Sequence, residues 1–362
     1  MSQISERPRN ARAPAALAPV LGLGGAGGVL SIYVDADPAL GAGARPAWQA
    51  PVRVALRRLV RDTHRTGSRE ERIALETRLA ELEPELRALL DPRRPGRGRA
   101  LFAAVDGGAP RRFELHAPVP SLVALRPHAV VVPLLRVLQD GARAGAAWVS
   151  RDRVERAEWE LGALRSETTI ELDRGDARRR HRATNPAVPQ PFPERDRFET
   201  AADARALAQL REEGARLATD AEVRGWDVVV ANGDARLVDA LVEGFACGNG
   251  DVELVRSPQP LGRLSADLVA GVVRTQRAER DAALARRLDE SSAATRDPFV
   301  LEWALDEGRV QHLLLAAPGG PRPAYRAESL ARRAFATGAD VRVLDEGEHD
   351  LGPAGSAAVL RW

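Results

Sequence analysis

The chain has 362 residues, 44% hydrophobic and 29% charged, the composition of a soluble globular protein too long for one ordinary core. All 53 basic residues are arginine, yet the net charge is only +2, which excludes a polycation and leaves any nucleic-acid affinity to local clusters. Cys247 is the sole cysteine, which excludes an intrachain disulfide and a zinc site built mainly from cysteines, and fits a reducing cytoplasm.

Residues 1–26 are rich in Ala, Pro and Gly. Their apolar part is too short and too interrupted to span a bilayer, and it makes only a weak signal-peptide core; a flexible tail is expected. Val29 to Asp35 (VLSIYVD) is a β-branched and aromatic run closed by Asp37 and Pro38, a strand followed by a turn. Two helices follow. The second starts at Ser68 with Glu71 three residues on, a capping-box pattern, and its leucines 75, 79, 82, 86 and 89 recur at helical spacing, with a kink expected at Pro84. Arg99 to Val105 and Arg112 to His116 flank Asp106-Gly107-Gly108 and read as a hairpin. Residues 27–138 are thus expected to form an N-terminal α/β domain.

A second hairpin (AAWVS, then VERAEWELG) opens a middle domain over 139–268, and Thr168 to Leu172 adds a third strand. A long segment, 173–197, separates that strand from a helix expected near Phe198. Strand-to-helix connections usually take about 2–6 residues, and one this long is usually functional or disordered. It holds seven arginines against four acids. The dense patch is Arg178, Arg179, Arg180 and Arg182, with Arg195 and Arg197 further on. Such a patch suits phosphate, and the binding would be salt-dependent. Asp227 to Ala231 reads as a buried strand, followed by the turn Asn232-Gly233-Asp234 and a helix. In the last domain, 269–362, Asp297 caps a helix with Pro298 in its first turn and Gly308 after its end, and Val310 to Ala316 is a buried strand. The expectation is an α/β chain of three domains without internal repeat.

Familiar catalytic patterns are weak. Gly22 to Gly27 matches G-x-G-x-x-G but precedes a strand instead of following one. Asp35 and Asp37 suit a turn better than a metal. The six histidines lack ligand spacing, and no G-x-S-x-G occurs. No metal and no small-molecule cofactor is therefore expected.

The ordered set VLSIYVDADP, AAWVSRDRVERAEWELG, WDVVVANGDARLVDALVEGF and FVLEWALDEGRVQHLLLAAP resembles the archaeal and eukaryotic class-1 peptide-chain release factors, and more closely their bacterial relatives. The resemblance covers most of residues 27–362. It implies a middle domain of RNase-H-like fold and a C-terminal domain like the ribosomal proteins that bind kinked RNA. It also implies that 173–197 corresponds to the family's catalytic loop, in which a Gly-Gly-Gln tip positions water to hydrolyse peptidyl-tRNA. This chain has no Gly-Gly-Gln. Gln190 is the only glutamine of the segment, between Pro189 and Pro191, and prolines fix the backbone that the family's glycines leave free.

Two functions follow as expectations. One is a cytoplasmic, monomeric release or rescue factor that hydrolyses peptidyl-tRNA through Gln190 and grips ribosomal RNA or the tRNA acceptor end with the six arginines of the patch. The other is a non-catalytic protein of stressed or idle ribosomes. A nuclease built on the middle domain would need a carboxylate cluster for two metal ions, which the sequence does not assign.

Overall fold

The computed structural model describes residues 16–37, 46–94, 96–140, 143–160, 163–173, 192–248, 252–257, 265–317, 325–345 and 349–361. The fold is mixed α/β, with three sheets. The chain divides into two compact units, residues 1–140 with 279–362, and residues 141–278.

The first unit opens with α1 (Ala18–Leu21) and β1 (Gly24–Asp35). The flexible tail expected over 1–26 therefore gives way to packed structure early, since Leu17 and Val20 are fully buried. Pro19 lies in the first turn of α1, where a missing N–H leaves nothing unbonded. The G-x-G-x-x-G run falls at the start of β1, outside the strand-turn-helix setting its dinucleotide role requires. β2 (Gly98–Ala104) and β3 (Arg111–Leu115) form the expected hairpin. With β4 (Leu122–His128) they complete an antiparallel sheet of order β3-β2-β1-β4. β4 has no counterpart in the sequence reading. It carries Pro127, which an edge strand bonded only to β1 tolerates.

Three helices lie between β1 and β2: α2 (Gln49–Thr66), α3 (Arg69–Glu81) and α4 (Glu83–Leu89). The capping box at Ser68 is formed. Ser68 Oγ accepts from the Glu71 N–H at 3.1 Å, and Glu71 Oε2 accepts from the Ser68 N–H at 2.6 Å. The helix expected to bend at Pro84 instead stops at Leu82, and Pro84 sits in the first turn of α4. Interior proline both removes a hydrogen bond and clashes with the preceding turn, so a fresh start is cheaper than a kink. The leucine stripe is core, because Leu82 and Leu89 pack with Trp48 and Val52 of the α2 region under Leu30, Ile32 and Val34 of β1. α5 (Val132–Asp140) closes this half.

In the second unit β5 (Ala144–Val149), β6 (Arg153–Glu160) and β7 (Ala163–Glu171) form an antiparallel meander. The chain then passes through α6 (Phe192–Arg224) to β8 (Val228–Gly233), α7 (Ala235–Cys247), β9 (Glu253–Arg256) and α8 (Ala266–Glu290). The sheet order is β7-β6-β5-β8-β9, with β5, β8 and β9 parallel. Alternation along the strands sends Val149, Val154, Val229 and Ala231 to the α6 and α7 face, and Ala144, Ala146, Val228 and Val230 to the face covered by Val269 and Val273 of α8. α6 and α7 approach closely through Gly214 and Gly244. A Cβ at Gly244 would meet the Arg211 carbonyl oxygen at 1.9 Å, so no larger residue fits without backbone movement. Asp234 caps α7, its Oδ1 accepting from the N–H groups of Arg236 and Leu237.

The chain re-enters the first unit within α8, at Glu279, and continues with β10 (Ala294–Thr295), α9 (Pro298–Asp306), β11 (Val310–Ala316), α10 (Tyr325–Ala336), β12 (Asp340–Leu344) and β13 (Ser356–Leu360), in sheet order β10-β13-β11-β12. Asp297 caps α9, accepting from the Phe299 N–H at 2.8 Å, and Gly308 follows the helix at φ +66°, as the sequence signals require. This half shares one hydrophobic core with the first. Val29, Tyr33 and Phe102 of the N-terminal sheet, Leu134 and Leu135 of α5, and Leu301, Leu313, Leu315 and Leu330 belong to a single buried cluster.

Polar contacts fix that join. Glu328 of α10 reaches the start of α5, where its two carboxylate oxygens accept from the N–H groups of Val131 and Val132 at 2.7 and 2.9 Å. These amides begin a helix and have no partner within it, so the carboxylate acts as a cap supplied from distant sequence. Burial pushes the Glu328 carboxyl up to about 7, against the lowering effect of the two amides and of Arg332. At the other end of α5, Gln139 Oε1 accepts from the Val343 N–H at 3.0 Å, and its Nε2 donates to the Val341 carbonyl at 2.5 Å. Residue 130 is held to β1 in both directions: the Tyr33 hydroxyl donates to its carbonyl at 2.6 Å, and its N–H donates to Ser31 Oγ at 3.0 Å.

Candidate nucleic-acid interface

The segment singled out by length and charge leaves the end of β7 and enters α6. α6 begins at Phe192, not near Phe198, so the last six residues of the expected loop 173–197 are helical. The missed signal is Pro193 with Glu194. Proline in a first turn is compatible with helix, and an acidic residue there complements the helix dipole. Arg195 and Arg197 therefore lie on the opening turns of α6. Gln190, Arg178, Arg179, Arg180 and Arg182 lie outside the described residues.

The root of the segment is well defined. Leu172 is buried, and its N–H donates to the Asp152 carbonyl at 2.8 Å. Gln209 of α6 then clasps the chain on both sides of Leu172. Its Oε1 accepts from the Asp173 N–H at 2.7 Å, and its Nε2 donates to the Glu171 carbonyl at 3.0 Å. One amide side chain thus satisfies a donor and an acceptor that the end of the strand ladder leaves over. The sequence holds no signal for this role. A glutamine on a helix face is ordinary, and only the tertiary fold brings it to a strand 36 residues earlier in the chain.

α6 is tied to the sheet by charge as well as by packing. Glu213 is fully buried on α6 and takes the Arg156 guanidinium of β6 at 3.4 Å. Arg156 also pairs with Asp220, and Glu213 with Arg216. A buried carboxylate flanked by two guanidiniums keeps its charge neutralised, and removing one partner from such a group is strongly destabilising. Nearer the end of α6, Glu158 accepts from Trp226 Nε1 at 3.2 Å and from Arg224 at 3.0 Å. The segment 174–191 is therefore carried between a strand end and a helix that are locked to each other.

In sequence that segment holds five arginines, Arg174 with the four of the patch, against the single acid Asp176. This balance suits phosphate binding, because guanidinium groups are always charged and can pair bidentately with phosphate oxygens. Other candidates of the sequence are absorbed by structure. Asp35 accepts from the Asp37 N–H at 3.2 Å, and Asp37 pairs with Arg97 at 2.5 Å, which makes the pair a turn device. Among the described residues no three His, Cys, Asp or Glu side chains gather as a metal-binding group, and no helix is long and apolar enough to cross a membrane.

No protein-family model matches the chain, and no curated protein matches it in sequence. Solved structures that match the chain include translation factors. The archaeal translation termination factor aRF1 is 17% identical, with 96% of each chain covered and a TM-score of 0.26. Archaeal Pelota, from a model of ribosome-bound Pelota and ABCE1, is 13% identical over 73% of this chain and 77% of its own, with a TM-score of 0.41. Dom34 of S. cerevisiae, described as a translation termination-like factor of RNA quality control that interacts with Hbs1, is 12% identical over 73% of this chain and 79% of its own, with a TM-score of 0.38. At similarities this low the reading of function rests on this chain's own residues.

Proposed function

We propose that the chain is a cytoplasmic, ribosome-associated factor of the release or rescue type. The carrying observation is the segment 174–191 itself: it is arginine-rich in sequence and connects the end of β7, which Gln209 clasps, to the start of α6. In this reading Arg178, Arg179, Arg180, Arg182, Arg195 and Arg197 contact ribosomal RNA or the tRNA acceptor end, and Gln190 orients the water that cleaves the peptidyl-tRNA ester. The chain works as a monomer of three domains, 27–138, 139–268 and 269–362. An RNase-H-like middle domain is supported by the sheet order β7-β6-β5-β8-β9, an antiparallel meander continued by parallel strands.

The test is release of nascent peptide from stalled ribosome complexes. The expected result is release by the intact chain and its loss in Gln190→Ala. Release that Gln190→Ala leaves undiminished removes the catalytic role. A second reading keeps the RNA contacts and drops the chemistry, and the proline flanks of Gln190 favour it. There the chain sediments with ribosomes in a sucrose gradient but releases no peptide. Absence from every ribosomal fraction across a range of salt sinks both readings.

A further inference from the structure

The strongest basic surface among the described residues lies far from the segment 174–191 in sequence, on α2. The inner face of this helix is core: Val52 is buried, and Leu56 and Leu59 pack beneath β1 with Trp48 at the helix start. Its outer face carries Arg53, Arg57, Arg61 and Arg65, all exposed, at strict four-residue intervals, with exposed Arg58 beside them. At about 1.5 Å per residue each step is about 6 Å, and the row spans about 18 Å.

Asp62 is the only acid in α2, and it lies near two of these arginines, Arg58 at 3.6 Å and Arg65 at 3.5 Å. Arg53, Arg57 and Arg61 have no ion-pair partner among the described residues. Several other arginines of the same unit are matched: Arg87 with Glu83, Arg94 with Glu114, Arg97 with Asp37 and Arg112 with Glu85. Five arginines less one aspartate give α2 a charge of +4, whereas the whole chain carries +2, so the remaining residues sum to −2. Like charges four apart destabilise a helix by about 0.2–0.5 kcal/mol per pair. Repulsion along the row therefore costs the helix some stability, although arginine is a good helix former, and packing does not account for the charge.

We infer that the outer face of α2 is a docking surface for an RNA backbone, with Arg53, Arg57 and Arg61 as its phosphate contacts. A regularly spaced row of guanidiniums winding along one side of a helix is complementary to a polyanion, each fork taking a phosphate bidentately. A membrane surface would call for an apolar stripe among the charges, and Val54 is the one exposed apolar side chain there. The choice of RNA over DNA rests on the translational reading above; the row as a phosphate-binding surface does not.

The test uses the full chain and a labelled RNA hairpin with a single-stranded tail, read by fluorescence anisotropy across a salt series. A DNA hairpin of the same sequence and phosphatidylserine–phosphatidylcholine vesicles serve as the other probes. In the triple variant Arg53→Gln, Arg57→Gln, Arg61→Gln the expected result is an affinity about ten- to a hundredfold weaker and a salt slope shallower by about 2–3. Replacement of the same three by lysine restores the slope, and Asp62→Asn, which frees Arg58 and Arg65, tightens binding should the glutamine variant fail to fold. Unchanged affinity and slope in the glutamine variant, or in Asp62→Asn if that is the variant read, overturns the inference. So does binding to vesicles but not RNA, and equal binding of DNA and RNA removes the choice of RNA. Substituting Arg178, Arg179, Arg180 and Arg182 in a parallel arm separates the two surfaces. A chain that never sediments with ribosomes yet loses RNA affinity in the α2 variant keeps this inference and loses the functional reading. Loss in the loop variant alone does the reverse.

Discussion

The two units hold themselves together differently. The first is closed by contacts of extreme sequence separation: one core contains Val29 and Leu315, and Glu328 caps a helix 196 residues away. The second is a single run of chain, residues 141–278, whose sheet and helices pack on one another locally. The difference teaches where sequence change is tolerated. In the second unit a long arginine-rich connection is accommodated because the strand end it leaves is already fixed by the sheet and by Gln209 of α6. In the first unit the arginine row lies on a face of α2 turned away from the core that Leu56 and Leu59 pack against.

This contrast can be broken deliberately. The largest effect is expected from Leu313→Ala, which opens a cavity in the core shared by both halves of the first unit. A loss of about 2–5 kcal/mol is expected, with hydrogen exchange accelerated on both sides of the shared core and the second unit unaffected. Exchange confined to the C-terminal half would show that the halves are not one cooperative body. Next comes Glu328→Gln. The folded-state group titrates near 7, above its ordinary value of 4.5. The folded protein therefore binds the proton more tightly than the unfolded one. Its contribution is fully present below about 4.5 and is lost as pH rises towards 7. At most about 3 kcal/mol is at stake, so the stability difference between the two proteins should shift across that window. A difference independent of pH refutes the assignment.

In the second unit Gly244→Ala drives a Cβ into the Arg211 carbonyl, and overpacking of about 1–3 kcal/mol is expected from its denaturation midpoint. An unchanged midpoint would mean that α6 and α7 can separate freely. The smallest effect belongs to Gln209→Ala. Losing its two hydrogen bonds should cost about 1 kcal/mol globally, while amide exchange at Asp173 rises severalfold. Exchange there that does not change would dismiss the clasp.

Much of the fold is legible in the sequence because its signals are local. Ser68 with Glu71, Asp297 with Pro298 and Gly308, and Asp106 with two glycines each mark an end or turn within a few residues, and each stands where it was read. The misreadings are equally instructive. Pro84 and Pro193 suit a kink and a loop in sequence, whereas both sit in first turns, because proline signals a helix start as readily as a break. β4 has no such local mark, and it carries Pro127, acceptable only on an edge that the sheet order defines.

The sequence by itself determined the mixed α/β class, the position of the arginine-rich segment after a third strand, and the charge of each helix, since these depend on periodicity, capping and composition. Only the tertiary structure decided that the N- and C-terminal parts share one core, that Gln209 holds the root of the segment, and that three arginines of α2 stand without acidic partners among the described residues. Each of these is set by residues distant in the chain, and local propensity carries no record of which distant groups meet.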